Sequence, residues 1–183
     1  MEVAIVKKNT KYQYEYFKHK PYSIFDVAIP KQSLRDFEAN TSSRKQHSPF
    51  PMDVADFIVS FYLREASLIF DPFAGWGERN LVCKKHNKKY IGYDTSNEAL
   101  DYALNTYQVT NIFNNSLTAD IPAHDGLITC PPYWNIEKPY EGDGLDRLKT
   151  WDEFLIQYEA IWKRVVKKGK KGATYCIVVG DFR

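Results

Sequence analysis

The stretch Ser67-Leu68-Ile69-Phe70-Asp71-Pro72-Phe73-Ala74-Gly75-Trp76-Gly77 sets the architecture of the chain. SLIF is a short apolar run of strand character, and ERNLVCKKHNK, residues 78–88, reads as the helix that follows it. Glycines in a strand-to-helix turn let the backbone come close to a ligand, and open α/β sheets bind ligands at the carboxyl ends of their strands. Neither GxGxxG nor GxxxxGK[ST] is present, so a pyrophosphate cradle is not expected. A tight turn without a ligand is equally compatible with Gly-x-Gly alone.

Outward from this turn, helical and strand patterns alternate. MDVADFIVSFYLR places Val54, Phe57, Ile58, Phe61 and Tyr62 at helical spacing ahead of the first strand. KYIGYD, residues 89–94, predicts a second strand ending in an acid, and Thr95 with Glu98 fits a capping box opening SNEALDYALNTY. VTNIF predicts a third strand and DGLITC a fourth. Thr150 with Glu153 forms another capping box before WDEFLIQYEAIWKRVVK, whose Trp151, Phe154, Leu155, Tyr158, Ile161, Trp162 and Val165 trace one apolar face. ATYCIVVGD predicts a fifth strand. A helix followed by β-α-β-α-β-β-α-β implies an α/β fold, with a mostly parallel sheet covered by helices.

Composition narrows the class. At 183 residues the chain is sized for one domain, and 44% hydrophobic with 26% charged residues is incompatible with wholesale disorder. No apolar run approaches a membrane span and the first residues lack a signal-peptide pattern, so a soluble, cytoplasmic protein without membrane partners is expected. Cys83, Cys130 and Cys176 are widely spaced with no CxxC, which predicts reduced cysteines, no disulfide framework and no metal site. Net charge is only +2, but residues 1–48 carry nine Lys/Arg against five acids. A local basic segment attracts phosphates even when the total is near neutral. Aromatic residues reach 15%, enough to reserve some rings for a ligand.

Three positions carry candidate chemistry. Asp94, ending the second strand, is placed to accept hydrogen bonds from ribose hydroxyls, although an Asp beside Thr95 also suits a helix cap. Asp120, in LTADIP after the third strand, is a candidate partner for an adenine amino group, with a turn role as the alternative. Thr129-Cys130-Pro131-Pro132-Tyr133-Trp134 closes the fourth strand. Two prolines remove two backbone donors and stiffen the turn, so its carbonyls become outward-facing acceptors. Tyr133 and Trp134 then offer flat surfaces for a planar substrate bearing an NH2 group. A rigid strand exit with buried rings is the plainer reading.

Together these pieces resemble the S-adenosylmethionine-dependent amino-methyltransferases of DNA, which make N6-methyladenine or N4-methylcytosine. DPFAGWG is similar to the family's cofactor loop, YIGYD to its ribose-binding segment, and TCPPYW to its [DNS]PP[YFW] catalytic tetrapeptide. HSPFPMDVADFIV, residues 47–59, resembles the helix that helps hold the methionine end, and IVVGDFR the fifth strand of some members. The resemblance implies a Rossmann-like methyltransferase fold, with S-adenosyl-L-methionine held by Asp71, Phe73, Ala74, Gly75, Gly77, Asp94 and Asp120. It implies catalysis by Cys130, Pro131, Pro132 and Tyr133, with Tyr133 and Trp134 on the base. The Pro131 carbonyl and residue 130 would accept the amine protons, localising a lone pair otherwise spread into the ring. A base in a duplex must first be flipped out, at a cost of roughly a few kcal/mol. Transfer is then direct and depends on positioning. DNA is the implied partner, in a restriction-modification setting.

Two departures qualify the resemblance. Position 130 is Cys where the family has Asp, Asn or Ser, and a thiol is the weaker acceptor. A covalent role for Cys130 is the minor alternative, since the cytosine C5 enzymes carry their nucleophile in a Pro-Cys order. The chain also stops after its fifth strand, whereas a complete sheet of this type has about seven, so an incomplete C-terminal side is expected. A completing subunit, a homodimer, truncation, or strands from MEVAIV and KYQYEYF are the candidate explanations. The expected organisation is therefore a basic, aromatic segment over 1–46 and a catalytic domain over 47–183. The alternatives are methylation of RNA or of a protein glutamine, and a non-catalytic nucleic-acid-binding or regulatory subunit of methyltransferase-like fold.

Overall fold

A computed structural model describes residues 50–134 and 144–179. The expectations placed on residues 1–49, including the N-terminal strands and basic surface, lie outside the described residues. So do residues 135–143, most of the polar, glycine-containing stretch between the tetrapeptide and the last helix. The first described helix, α1 (Met52–Phe57), runs into a π-helical turn, Ile58–Tyr62. There follow β1 (Leu68–Asp71), α2 (Glu78–Lys85), β2 (Lys89–Asp94), α3 (Asn97–Tyr107), β3 (Ile112–Phe113) and β4 (His124–Thr129). A 3-10 turn, Leu145–Arg147, precedes α4 (Trp151–Lys168) and β5 (Gly169–Ile177). All four strand pairings are parallel, and the order across the sheet is β3-β2-β1-β4-β5. The expected order of elements and the parallel α/β sheet are both present.

Side-chain alternation on the central strands explains why both faces must be covered. Ile69 and Ile128 point to one side, where they pack with Ala55, Val59, Leu63 and Val82 of the α1 and α2 layer. Phe70 and Leu127 point to the other, against Tyr93, Phe154, Ile161 and Val165. Phe70, Ile69, Leu127 and Ile128 are fully buried, so β1 and β4 form the spine of the domain.

Several local expectations are corrected. The buried face of the first helix is Ala55, Ile58, Val59 and Leu63, because the Leu63 N–H bonds the Ile58 carbonyl five residues back and the widened turn rotates the later side chains. Phe57, Phe61 and Tyr62 instead pack on one another at ring-centroid distances of 5.0–5.7 Å, with Tyr62 exposed. Ser96, not Thr95, caps α3: its Oγ accepts the Ala99 N–H at 3.2 Å, while its own N–H is held by Asp94 Oδ1 at 2.9 Å. The Thr150–Glu153 box is formed as expected, with reciprocal bonds of 3.2 Å. β3 is reduced to two edge residues, and β5 starts directly after α4, its register shifting between His124 and Gly126.

His124 is fully buried at the start of β4. Its ring lies between Phe70 and Tyr175, at 5.4 and 5.6 Å between centroids. The Pro122 carbonyl, 2.8 Å from Nδ1, can only accept, so Nδ1 carries the proton and Nε2 accepts from the Tyr175 hydroxyl at 3.2 Å. Burial pushes its pKa below the ordinary 6.5, opposed by the Pro122 carbonyl and Asp125. A depressed histidine adds stability that is complete above the unfolded-state pKa and lost as pH falls through the folded one. The urea midpoint should therefore drop on acidification from pH 7.5 to below 6, and His124→Gln should flatten that part of the drop while lowering the midpoint at pH 7.5.

Candidate functional site

At the carboxyl end of β1 the chain turns through Asp71-Pro72-Phe73, and Asp71 is fully buried. Its Oδ1 accepts the Phe73 N–H at 3.0 Å and the Thr129 hydroxyl at 2.6 Å. Its Oδ2 accepts Arg79 Nε at 2.6 Å and the Tyr90 hydroxyl at 2.9 Å. One carboxylate therefore ties the glycine turn, α2, β2 and the end of β4 together. Arg79 is 4% exposed, donates through Nη2 to the Phe73 carbonyl at 2.6 Å, and lies 4.7 Å over the Phe50 ring. Burial opposes its charge, but Asp71 outweighs that and keeps it protonated. Burial first, and then the Asp71 carboxylate, push the Tyr90 pKa well above its ordinary value, against the pull of Arg79.

The two loop glycines have different reasons. Gly75 has φ +56°, and its N–H donates to Asp94 Oδ2 at 2.7 Å, fixing the turn over the end of β2. Gly77 has φ +97°, and a Cβ there would meet the Ala103 Cβ at 2.6 Å, so this glycine lets α2 close on α3. Gly77→Ala combines strain with overpacking and should cost about 1–3 kcal/mol, measurable as a lowered urea midpoint. Ala74 is buried beneath the turn, its N–H donating to the Tyr93 carbonyl at 2.9 Å.

A cleft of about 360 Å³ opens above these residues, a size suited to a small-molecule ligand. It lies where the order β2-β1-β4 reverses direction, between the carboxyl ends of β1 and β4. Phe73, Gly75 and Asp94 line it from the β1 and β2 side; Cys130, Pro131, Pro132 and Tyr133 line it from β4. Asp94 accepts one N–H on each oxygen, from Gly75 and Ser96, which leaves lone pairs for further donors. Burial raises its pKa and those two N–H groups pull it back. Cys130 Sγ is 3.9 Å from the Tyr133 hydroxyl.

Five residues singled out from the sequence do not line the cleft: Asp71, Ala74, Gly77, Asp120 and Trp134, of which Ala74 is buried under the turn and Gly77 faces α3. Asp71 lies beneath the cleft, as described. Asp120 is exposed, and it is its backbone carbonyl that accepts the Tyr93 hydroxyl at 2.8 Å. Trp134 turns away, donating to the Leu148 carbonyl at 3.2 Å and packing 5.6 Å from Trp151. The wall after β3 is built instead from Asn114, Asn115, Ser116 and Leu117. Ser116 donates to the Pro72 carbonyl at 2.8 Å, and Arg164 of α4 donates to the Ser116 and Ala119 carbonyls, so this wall is tied at both ends.

Sequence reasoning also missed Glu78 and Arg79, which line the cleft at 3% and 4% exposure, and Asp146 and Gln157 on its far side. The one available signal was a charged pair placed directly after the glycine turn. Among the described residues no group of three or more His, Cys, Asp or Glu could hold a metal ion, and no helix is long and apolar enough to cross a membrane.

The comparisons with known proteins agree with this architecture. A model of the DNA methylase family, the N6/N4 methylases, matches residues 3–105, more than half of the chain. That stretch contains the glycine turn and Asp94 and ends before Cys130–Tyr133. The Type II methyltransferase M.HindIII of Haemophilus influenzae is 30% identical over 67 residues, 36% of this chain and 22% of that protein. The match thus spans about a fifth of that relative's length. Among solved structures, the PH0226 protein of Pyrococcus horikoshii superposes with a TM-score of 0.56 at 11% identity, over 85% of this chain and 63% of that one. A SAM-dependent methyltransferase of Agrobacterium tumefaciens gives 0.52 at 14%, over 74% and 46%. An O-methyltransferase of Brevibacillus brevis, solved with S-adenosyl-L-homocysteine, gives 0.50 at 7%, over 98% and 52%. At these identities the structural matches carry the fold alone, and the fold they share is the Rossmann-like one of the SAM-dependent methyltransferases.

Proposed function

Since the chain belongs to the DNA methylase family, we propose that it transfers a methyl group from S-adenosyl-L-methionine to an exocyclic amine in DNA, N6 of adenine or N4 of cytosine. The supporting observation is that the glycine turn, Asp94 and the Cys130–Tyr133 segment, far apart in sequence, line one cleft. The residues fit this donor. Gly75 opens the backbone, Asp94 retains acceptor capacity for two ribose hydroxyls, and the sequence carries neither GxGxxG nor GxxxxGK[ST]. When bound, the donor supplies an electrophilic methyl on a sulfonium.

The chain's own contribution is to orient and polarise. Prolines 131 and 132 fix the turn, and the Pro131 carbonyl accepts a proton of the amine so that its lone pair is directed at the methyl. Tyr133 stacks on the flipped base. Thr129, bonded to Asp71 beneath the cleft, fixes the start of that turn relative to the glycine loop. Cys130 contributes as a small polar residue, not as a nucleophile. Incubation with methyl-labelled donor and either mixed-sequence DNA or RNA tests the reading. Label in DNA and not in RNA is expected; label in RNA alone, or in neither, overturns it.

A further inference from the structure

We infer that the end of the sheet opposite the cleft is a second duplex-DNA contact, a lysine-built floor that holds a DNA segment other than the one whose base enters the cleft. The choice of DNA rests on the reading above, while the floor itself rests on where the fold puts its cations. In a parallel α/β sheet the helices run back against the strands, so strand starts and the last turns of helices share one end. Lys84 and Lys85 close α2, Lys167 and Lys168 close α4, and all four are exposed. Lys89 opens β2, and Lys170 and Lys171 stand at the start of β5. Two sets of contacts join these groups across the floor. Lys88 Nζ donates to the Arg64 and Ala66 carbonyls ahead of β1. Asp125 of β4 accepts the Ser67 and Leu68 N–H groups on Oδ1, each at 2.8 Å, and Lys170 Nζ on Oδ2 at 3.2 Å.

The helix dipole favours cations at a last turn, which accounts for the lysines of α2 and α4 taken singly. It does not reach Lys89 and Lys171 on their strands, nor does it supply counter-charge. The nearest acids are already engaged: Glu65 by Arg64 and Asp125 by Lys170, each at 3.2 Å, and Asp56 by His86 at 2.7 Å. Among the described residues, Lys85, Lys89, Lys167, Lys168 and Lys171 have no ion-pair partner. The first helical turns, at the cleft end, carry acids instead, Asp53, Glu78, Glu98, Asp152 and Glu153. The described domain thus carries its positive surplus away from the cleft. Because β2, β1, β4 and β5 lie side by side, the floor is about 14 Å wide at roughly 4.8 Å per strand spacing. A duplex crossing it presents about eight phosphate charges, one per ~1.7 Å of its axis. Ammonium groups meet that charge without reading bases. The strands separating floor from cleft are 4 to 6 residues long, about 13–20 Å at ~3.3 Å per residue. A duplex serving the cleft would have to curl round the sheet to reach the floor, and a persistence length of about 150 bp opposes that over so few base pairs. The floor therefore takes a separate segment.

The test compares the whole chain with a variant combining Lys85→Gln, Lys89→Gln, Lys167→Gln, Lys168→Gln and Lys171→Gln. All five side chains are exposed, so the fold is expected to hold, and circular dichroism checks it. Binding of mixed-sequence duplex DNA is followed by fluorescence anisotropy over a range of KCl. The slope of log K against log salt should flatten in the variant by about 0.9 per lysine removed, about 4 in all. Immobilised duplex loaded with the wild type should also capture a second, labelled duplex from solution, and the variant should not. The capture by the wild type stands as a test even if the variant fails to fold. Absence of capture by the wild type, or equal salt slopes in the two proteins, overturns the inference. Loss of binding to phosphatidylserine vesicles in the variant, with DNA binding unchanged, overturns it as well and gives the floor to a lipid surface. Methylation of DNA without capture removes the floor contact and leaves the proposed function standing; capture without methylation does the reverse.

Discussion

Asp71→Ala is expected to destabilise the protein by about 3–5 kcal/mol, the range for removing one partner of a buried ion pair. Asp71 is fully buried, and its loss strands Arg79, which is itself 4% exposed, together with the Thr129 and Tyr90 hydroxyls. Urea denaturation followed by circular dichroism measures the effect, and a loss below about 1 kcal/mol, the range of a surface pair, would contradict it. Asp71→Asn should fall between the two, because the amide keeps one acceptor oxygen and replaces the other with a donor facing Arg79 or Thr129. Since the same carboxylate joins the ends of β1 and β4, variants that remain folded should also lose affinity for adenosyl ligands.

The second large effect concerns the turn after β4. Tyr133→Ala should reduce kcat/KM for DNA about ten- to hundredfold, as stacking of a base on an aromatic ring is worth about 1–3 kcal/mol. Donor affinity should change little, because Tyr133 is assigned to the base. Cys130→Ser should retain methyl transfer and can raise it, the hydroxyl being a better hydrogen-bond acceptor than the thiol. Steady-state kinetics on both variants separate the roles. Loss of activity in Cys130→Ser, with Tyr133→Ala unaffected, would turn the assignment around and make the thiol the reacting group.

Much of the fold was legible because its signals are local. The glycine turn, the apolar strands and the Thr150–Glu153 box each depend on neighbours within a few residues, and each formed as expected. What escaped depends on contacts distant in sequence. The face of the first helix was misjudged because a π turn shifts the phase between Ile58 and Leu63. His124 looked like any polar residue at a strand start, and only its placement between Phe70 and Tyr175 buries it.

The candidate site divides the same way. Gly75, Asp94 and Cys130–Tyr133 were visible as motifs at strand ends and all line the cleft. Asp120 and Trp134 carried the right chemistry, but loop geometry turns the first to solvent and the Leu148 carbonyl draws the second away. Arg79 and Glu78 follow the turn in sequence, yet nothing local marks them as buried charges. Their meaning appears only once Asp71, Phe50 and the cleft wall are seen around them.

The central claim is amine methylation of DNA at the cleft between β1 and β4, and nucleoside analysis by mass spectrometry of DNA incubated with the protein and labelled S-adenosyl-L-methionine tests it most directly. N6-methyladenine or N4-methylcytosine carrying the label is the predicted result. Label appearing as C5-methylcytosine, or no labelled nucleoside from a preparation that binds the donor, would contradict it.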